Sequence, residues 1–232
     1  MMLRQRPGNS PGPGPDLFAA AKRGDGARLR LLLENGAAPD WKTGRGKTAL
    51  MAASEKGHLQ AAECLLEHRA DPLERDRKGM SPLMFASFHG NEEVGRLLVP
   101  VSDINGRNDF GWTALMLASG SGAAMLARML LERGAEPRLS DNNGRNALMK
   151  AVRGGKTGMV SVLAPLSEID ATDIDGDTAL IKSARYGSLG ICGILLENGA
   201  DAGIRDLKGE SALDKAIKHG FEDVAELLKK FL

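Results

Sequence analysis

Aromatic residues make up only 4% of this 232-residue chain, and cysteine occurs only twice. So few large rings argue against a broad globular core and favour a thin stack of helices with alanine and leucine at the interfaces. No apolar run approaches the length of about 18 residues that spans a membrane. The basic start, MMLRQRPGNSPGPGPD, lacks the apolar segment of a secretory signal.

Charge of one sign is also missing, since the formal net charge is +1 and the isoelectric point is about 7.8. A near-neutral chain offers no global electrostatic reason to bind nucleic acid or a membrane surface. The absence of a secretory signal and of a membrane-spanning run predicts a cytoplasmic protein. Secretion as an effector stays open, because some bacterial secretion routes leave no such mark in the sequence.

Glycine, in contrast, is abundant and regularly spaced. One series steps along the chain at 33, 32, 33, 32 and 33 residues: Gly46, Gly79, Gly111, Gly144, Gly176 and Gly209. A second series keeps the same period: Gly24, Gly57, Gly90, Gly122, Gly155, Gly187 and Gly220. A fixed period of this length is typical of stacked repeats, in which each unit buries its apolar face only against its neighbours.

Each repeat begins with helix-start chemistry. Two residues after each glycine of the first series stands a Ser, Thr or Asn, namely Thr48, Ser81, Thr113, Asn146, Thr178 and Ser211. Such side chains accept from the free amides of a helix start. A short apolar helix follows, and eleven residues after the first glycine comes the second, a residue that suits a left-handed helix end. A second, leucine-rich helix then completes the unit.

These units resemble the ankyrin repeat. The family's Gly-x-Thr-Pro-Leu-His-x-Ala stands here as Gly-x-Thr-Ala-Leu-Met-x-Ala, and Leu-Leu-Glu-Asn-Gly-Ala-Asp at 195–201 is similar to the usual unit ending. The resemblance implies an all-α, elongated and curved solenoid of helix–loop–helix units with β-turn tips over residues 16–232. Seven units would start near 16, 43, 76, 108, 141, 173 and 206, after a flexible Pro/Gly-rich tail at 1–15.

The chain departs from the family pattern in two ways. The family's His is replaced by Met51, Met84, Met116, Met149, Ile181 and Asp214, and we expect the adaptable Met side chains to fill that space. Units 3 and 5 are one residue shorter and carry Pro100 and Pro165, which should end the second helix early. The resulting 65-residue super-period favours duplication of a two-unit block, with corners shaped for a function as the alternative.

No constellation of residues predicts catalysis or metal binding. Gly-Lys-Thr at 46–48 and 155–157 lacks the earlier glycine and the preceding strand of a phosphate-binding loop. Asp173, Asp175 and Asp177 hint at a calcium loop, but their glycine comes too soon and coincides with the repeat turn. Cys64 and Cys192 lie four units apart, about 30–40 Å at ordinary helix spacing, which excludes a bridge between them. We expect no cofactor, no metal and no enzyme activity.

The inner face of the solenoid is where such proteins hold a partner. Taking the repeat register, we predict that the exposed positions of units 3 and 4 are apolar and those of units 5–7 are cationic. The candidate partner-binding residues are Met80, Phe85, Phe88, Phe110, Trp112, Leu117, Arg145, Lys150, Arg153, Lys182, Arg185, Tyr186, Lys215 and Lys218.

These positions lead to two hypotheses. The first is a monomeric, non-enzymatic protein-binding scaffold whose aromatic residues anchor an apolar segment while the Lys/Arg rows hold an acidic stretch. The alternative is an anionic non-protein ligand, a phosphoinositide headgroup, polyphosphate or RNA, held by the same rows with a steep salt dependence. The near-neutral charge makes nucleic acid the weaker choice, and an enzyme with an unrecognised site ranks last.

Overall fold

The computed structural model of the protein describes residues 12–232, which form fourteen α-helices and no β-strand. The helices are α1 Pro13–Arg23, α2 Gly26–Glu34, α3 Ala49–Lys56, α4 Leu59–Glu67, α5 Pro82–His89, α6 Glu92–Leu98, α7 Ala114–Ser121, α8 Ala124–Glu132, α9 Ala147–Arg153, α10 Thr157–Leu163, α11 Ala179–Arg185, α12 Leu189–Glu197, α13 Ala212–Lys218 and α14 Glu222–Lys229. They form seven helix pairs, which confirms the predicted all-α repeat architecture.

The predicted helix starts are confirmed from unit 2 to unit 7. At each of the six positions the side-chain oxygen accepts a hydrogen bond of 2.9 to 3.3 Å from the amide three residues later. This bond satisfies one of the amides that a helix start leaves free. A left-handed glycine ends helices α1, α3, α5 and α7, as at Gly57 (φ 71°) and Gly90 (φ 70°), where any other residue would be strained. After α9, α11 and α13 it comes one residue later, as the second residue beyond the helix end.

The stack has two helical layers. First helices pack on the first helices of adjacent units from α1 to α13, and second helices form the other layer. Between the layers lies one apolar core, in which a leucine of each first helix from α1 to α11 is almost fully buried: Leu17, Leu50, Leu83, Leu115, Leu148 and Leu180. Met51, Met84, Met116 and Met149 are buried, so the Met side chains fill the space of the family's His as expected, and Ile181 is buried as well. The sixth replacement, Asp214, is only partly buried and accepts hydrogen bonds from the Ser211 amide and hydroxyl.

Proline shortens two of the second helices as predicted. Helices α6 and α10 have seven residues, whereas α4, α8 and α12 have nine. A single 3-10 turn follows each short helix, at Val99–Val101 and Ala164–Leu166, and includes the proline. The prediction follows from the missing amide and the ring of proline, which do not continue an α-helix.

The beginning of the chain differs from the prediction. Helix α1 begins at Pro13, three residues before the expected boundary, so Asp16 lies in the first turn and does not cap the helix. Proline suits this position because a first-turn residue has no helical partner for its amide. Residues 13–15 of the predicted flexible tail are therefore helical, and its residues 1–11 lie outside the described part.

Turn tips connect neighbouring units through backbone hydrogen bonds of 3.0 to 3.1 Å. The amide donors are Arg77, Asp109, Asn142, Ile174 and Leu207, and each bonds a carbonyl on the preceding tip. Within residues 12–232, no helix is long and apolar enough to cross a membrane. Cys64 and Cys192 are free, buried thiols on α4 and α12.

Candidate functional site

The turns of units 5 to 7 are each organised by one buried aspartate. Oxygen Oδ1 of Asp141, Asp173 and Asp206 accepts hydrogen bonds of 2.9 to 3.1 Å from the amides two and four residues later. The short side chain thereby closes the turn, as Asp and Asn do in loops. All three carboxylates are buried, so the second oxygen, Oδ2, also requires a partner.

A lysine nine residues later supplies that partner. The ammonium groups of Lys150, Lys182 and Lys215, which we call the lysine row, lie 2.6 Å from Oδ2 of Asp141, Asp173 and Asp206. Lys182 also lies 3.2 Å from Asp177, and Lys215 also contacts Glu210. Lys182 is 6% exposed and Lys215 is 4% exposed. The prediction that these two lysines are exposed steering charges is therefore wrong, because each one neutralises a buried turn carboxylate.

Most of the other predicted cations are paired as well. Arg145 lies 3.3 Å from Asp173, Arg185 lies 2.6 Å from Asp177, and Lys218 lies 2.7 Å from Glu210. Among the seven predicted cations, Arg153 alone has no carboxylate at ion-pair distance within the described chain. Exposed Tyr186 lies beside these residues and lines a shallow cavity of about 220 Å³ with Arg145, Lys150 and Arg153. The predicted basic rows thus carry little uncompensated charge.

The ion pairs determine how the turn carboxylates titrate. Burial by itself would raise the pKa of Asp141, Asp173 and Asp206, but their bonded lysines and backbone amides lower each pKa below the ordinary 3.8. For Asp206 the pKa falls to about 2. A carboxyl whose pKa is lower in the folded than in the unfolded state stabilises the fold above the unfolded pKa. That contribution is lost as the pH falls through the folded pKa.

We therefore expect acid to destabilise the protein between about pH 4 and pH 2, measurable as the free energy of unfolding in urea at a series of pH values. The Asp206→Asn variant should lose less stability over this window than wild type, because the amide that replaces the carboxyl does not titrate. Glu226→Gln serves as the control, since Glu226 is an exposed acid with no ion pair among residues 12–232. If the unfolding free energy of Asp206→Asn fell with pH as steeply as that of wild type, this role for the Asp206–Lys215 pair would be contradicted.

The aromatic residues of units 3 and 4 form an open groove of about 680 Å³, which we call the aromatic groove. Its apolar lining consists of Met80, Phe85, Phe88, Phe110 and Trp112. Phe88 is 51% exposed, Phe110 is 43% exposed and Trp112 is half-buried, so a ligand could reach these three rings. A second, smaller cavity of about 270 Å³ adjoins the groove at Phe88 and Trp112 and extends to Leu117 and Arg153.

Three of the apolar candidates are less accessible than the repeat register predicted. Met80, Phe85 and Leu117 are each only 7% exposed, and they pack with Met51 and Met84 into a small second apolar cluster. Their prediction as exposed residues is wrong, because the first helices of adjacent units approach closely enough for large side chains to cover one another. Their edges form the floor of the two cavities, while Phe88, Phe110 and Trp112 form the accessible part.

The Trp112 ring is held in place without a ligand. Its Nε1 donates to Oδ2 of Asp141 at 3.1 Å, and the Lys150 ammonium lies 4.9 Å from the ring centroid. The Phe110 ring lies 5.0 Å away, centroid to centroid, at 31° to the Trp112 plane. On the other side of the groove, the Lys47 ammonium lies 4.3 Å from the Phe85 centroid. Rings that are already fixed lower the entropy cost of binding at a surface.

Three cations that are absent from the predicted site lie at the rim of this groove. Arg45, Arg77 and Lys78 stand on the turn tips of units 2 and 3, are exposed, and line the groove. No carboxylate of residues 12–232 lies at ion-pair distance from them. Their position before the glycines Gly46 and Gly79 places them at turn tips in the repeat register. The prediction from helix-face and pre-cap positions does not include these tip residues. The apolar tips Ile174 and Leu207 were missed for the same reason, at 58% and 79% exposure.

The three aspartates of the calcium-like segment do lie together. Carboxylate oxygens of Asp173, Asp175 and Asp177 come within 4.8 Å of one another, the one such acidic cluster in the described chain. Asp173 and Asp177 are already bonded to Lys182 and Arg185, and a cation would have to displace those groups. The arrangement is an ion-pair network that supports the turn of unit 6.

Comparison with known proteins gives a consistent result. A family model described as ankyrin repeats (3 copies) matches residues 17–108, 96–173 and 158–231. The crystal structure of the ankyrin repeat domain of Bcl-3, described as a unique member of the IkappaB protein family, aligns at a TM-score of 0.76. It shares 25% sequence identity and covers 97% of this chain and 100% of that one.

Two curated proteins are similar to this chain over short segments. The chain is 43% identical over 51 residues to a mitochondrial disaggregase of Bos taurus. The matched segment is 22% of this chain and 8% of that protein. It is 38% identical over 52 residues to a G patch domain and ankyrin repeat-containing protein 1 homolog of Drosophila melanogaster, 22% of this chain and 16% of that protein. The chain thus spans less than a fifth of the length of either relative.

Proposed function

The chain belongs to the ankyrin repeat family, and on that premise we propose that it is a non-enzymatic protein-binding module. In this proposal a segment of a partner protein lies along the inner face and inserts an apolar or aromatic side chain into the aromatic groove. The observation that carries the proposal is the exposure of Phe88, Phe110 and half-buried Trp112 side by side in one groove. Contiguous exposed apolar surface of this kind marks interaction sites, and aromatic residues dominate interface energies.

The alternative of an anionic non-protein ligand loses its main support. It depended on two rows of free cations in units 5 to 7, and six of the seven predicted residues are bonded to carboxylates. A paired lysine offers a phosphate little attraction, because the net charge of the pair is zero and the ammonium would have to leave its partner. A phosphoinositide or RNA therefore has a weaker basis than a protein segment.

We also propose that the protein acts as a monomer inside the cell. Two buried free thiols suit a reducing compartment, where cysteine serves as a small apolar residue. Burial raises the pKa of both the Cys64 and the Cys192 thiols above the ordinary 9.0, which keeps them in the unreactive neutral form.

The proposal predicts that two groove residues control peptide binding. Selection from a phage library of random 12-residue peptides should yield ligands of wild-type protein, and the double variant Phe88→Ser/Phe110→Ser should bind their synthetic versions at least about tenfold more weakly. Both rings are exposed, so their removal should leave the fold intact, as checked by circular dichroism. Fluorescence anisotropy with labelled peptides measures the affinities.

The matched control is Met125→Ser/Leu189→Ser, which removes two equally exposed apolar side chains from second helices. This variant should bind the selected peptides as wild type does. Selection of no peptide, or equal weakening by both double variants, would contradict the proposed function.

A further inference from the structure

The unpaired charges indicate over which units the acidic part of the ligand segment lies, an inference that rests on the proposed function. The sequence favours acidic residues of the ligand over units 5 to 7, where the predicted cations lie. In the folded protein six of those seven cations are held in ion pairs, and among the described residues only Arg153 has none. The rim of the aromatic groove, in contrast, carries three exposed cations without an ion pair in the described chain, Arg45, Arg77 and Lys78. Most of the free positive charge beside the exposed aromatic surface therefore lies at units 2 to 4.

The groups around this rim leave a positive excess. The groove lining includes four cationic side chains and two acids, Glu55 and Asp76. Glu55 is engaged by Lys47 at 2.6 Å, and Oδ1 of Asp76 accepts from the amides of Lys78 and Met80 at 2.9 Å. Neither acid lies within ion-pair distance of Arg45, Arg77 or Lys78. The cavity around Lys215 and Lys218 differs, because its four cationic and four acidic side chains balance.

We propose that the ligand is a protein segment with acidic residues next to its apolar anchor, and that these carboxylates lie over the turn tips of units 2 and 3. The apolar anchor then occupies the groove between Phe88 and Trp112. Arginine suits this role because its planar guanidinium binds a carboxylate through two parallel hydrogen bonds. Two arginines on adjacent, hydrogen-bonded tips, with Arg77 donating its amide to the Arg45 carbonyl at 3.1 Å, present such groups side by side.

The test uses the phage library of random 12-residue peptides named above and a charge-reversed variant, Arg45→Glu/Arg77→Glu. We expect the peptides selected by wild type to combine an aromatic or large aliphatic residue with at least two acidic ones. Their affinity for the charge-reversed variant should fall at least about tenfold. Peptides resynthesised with Lys in place of the acids should bind the charge-reversed variant better than wild type.

The control variant Arg128→Glu/Arg133→Glu reverses two exposed cations of α8 and its cap, which have no ion pair in the described chain. It should bind the selected peptides as wild type does, and both variants are checked for unchanged helicity.

Each other outcome overturns a defined part of the inference. Selected peptides without acidic residues, or with affinity unchanged by Arg45→Glu/Arg77→Glu, would overturn the acidic ligand while the proposed function stands. A loss of affinity in Arg153→Glu but not in Arg45→Glu/Arg77→Glu would place the acidic residues of the ligand at unit 5 and contradict their placement over units 2 and 3. Failure to select any peptide contradicts the proposed function itself. Binding of vesicles of phosphatidylserine and phosphatidylcholine through Arg45 and Arg77, with no peptide selected, would assign the rim to a lipid surface.

Discussion

Replacing Lys182 by methionine should lower the free energy of unfolding by about 3 kcal/mol, although the sequence alone places this lysine on the surface. The substitution keeps an unbranched side chain that is one atom shorter, but it leaves Asp173 and Asp177 buried without their shared ammonium. Breaking a buried pair by removing one partner costs about 3–5 kcal/mol. We expect the lower end because Arg145 and Arg185 still bond the two carboxylates.

Urea unfolding followed by circular dichroism measures this loss, and Arg153→Met provides the control. Arg153 ends helix α9, is exposed, and has no carboxylate partner in the described chain, so its replacement should change stability by less than about 0.5 kcal/mol. Equal effects of the two substitutions would show that the Lys182 ion pairs do not stabilise the fold.

Replacing Trp112 by alanine should weaken the binding of the selected peptides by about 2 kcal/mol or more, which is a factor of about 30 in affinity. Trp112 and Phe88 are the two candidate rings that line both cavities, and Trp112 lies between Phe110 and Lys150 at the centre of the accessible apolar surface. Its removal leaves no unpaired charge, because Asp141 keeps its 2.6 Å contact with Lys150. Isothermal titration calorimetry with a peptide selected by wild type measures the change.

The Trp112→Phe variant separates the ring from the hydrogen bond. Phenylalanine retains most of the apolar surface but loses the Nε1 donor that bonds Asp141. We expect it to keep most of the affinity, since the donor points into the protein and the ring face contacts the ligand. Wild-type affinity in Trp112→Ala would place the ligand elsewhere. A loss of affinity in Trp112→Phe equal to that in Trp112→Ala would mean that binding depends on the hydrogen bond that positions the ring.

Much of the architecture was predictable because repeat units depend on local chemistry. Thr113 caps α7 and Gly122 ends it in the left-handed conformation, and both requirements act over a few residues of backbone. Pro100 and Pro165 shorten their helices for an equally local reason. Where no such signal exists, the prediction was weaker. Helix α1 has no side-chain cap, and its start was placed three residues too late.

The site was less predictable, because exposure in a solenoid depends on the neighbouring unit. Phe85 and Lys182 occupy equivalent positions of units 3 and 6, and both are buried for different reasons. Phe85 packs with the methionines of the second apolar cluster, and Lys182 bonds the turn acid of its own unit. The spacing of nine residues from Asp173 to Lys182, repeated from Asp141 to Lys150 and from Asp206 to Lys215, was a readable signal of these pairs.

The sequence by itself determined the repeat length, the number of units, the helix caps and the family, because each depends on contacts a few residues apart that recur with a fixed period. Only the tertiary structure decided which charges remain free. Whether a lysine meets a carboxylate depends on how a turn folds back over its own helix and on the space left by the next unit. That packing pairs six of the seven cations predicted in units 5–7, and it leaves Arg45, Arg77 and Lys78 unpaired among the described residues at the turn tips that line the aromatic groove.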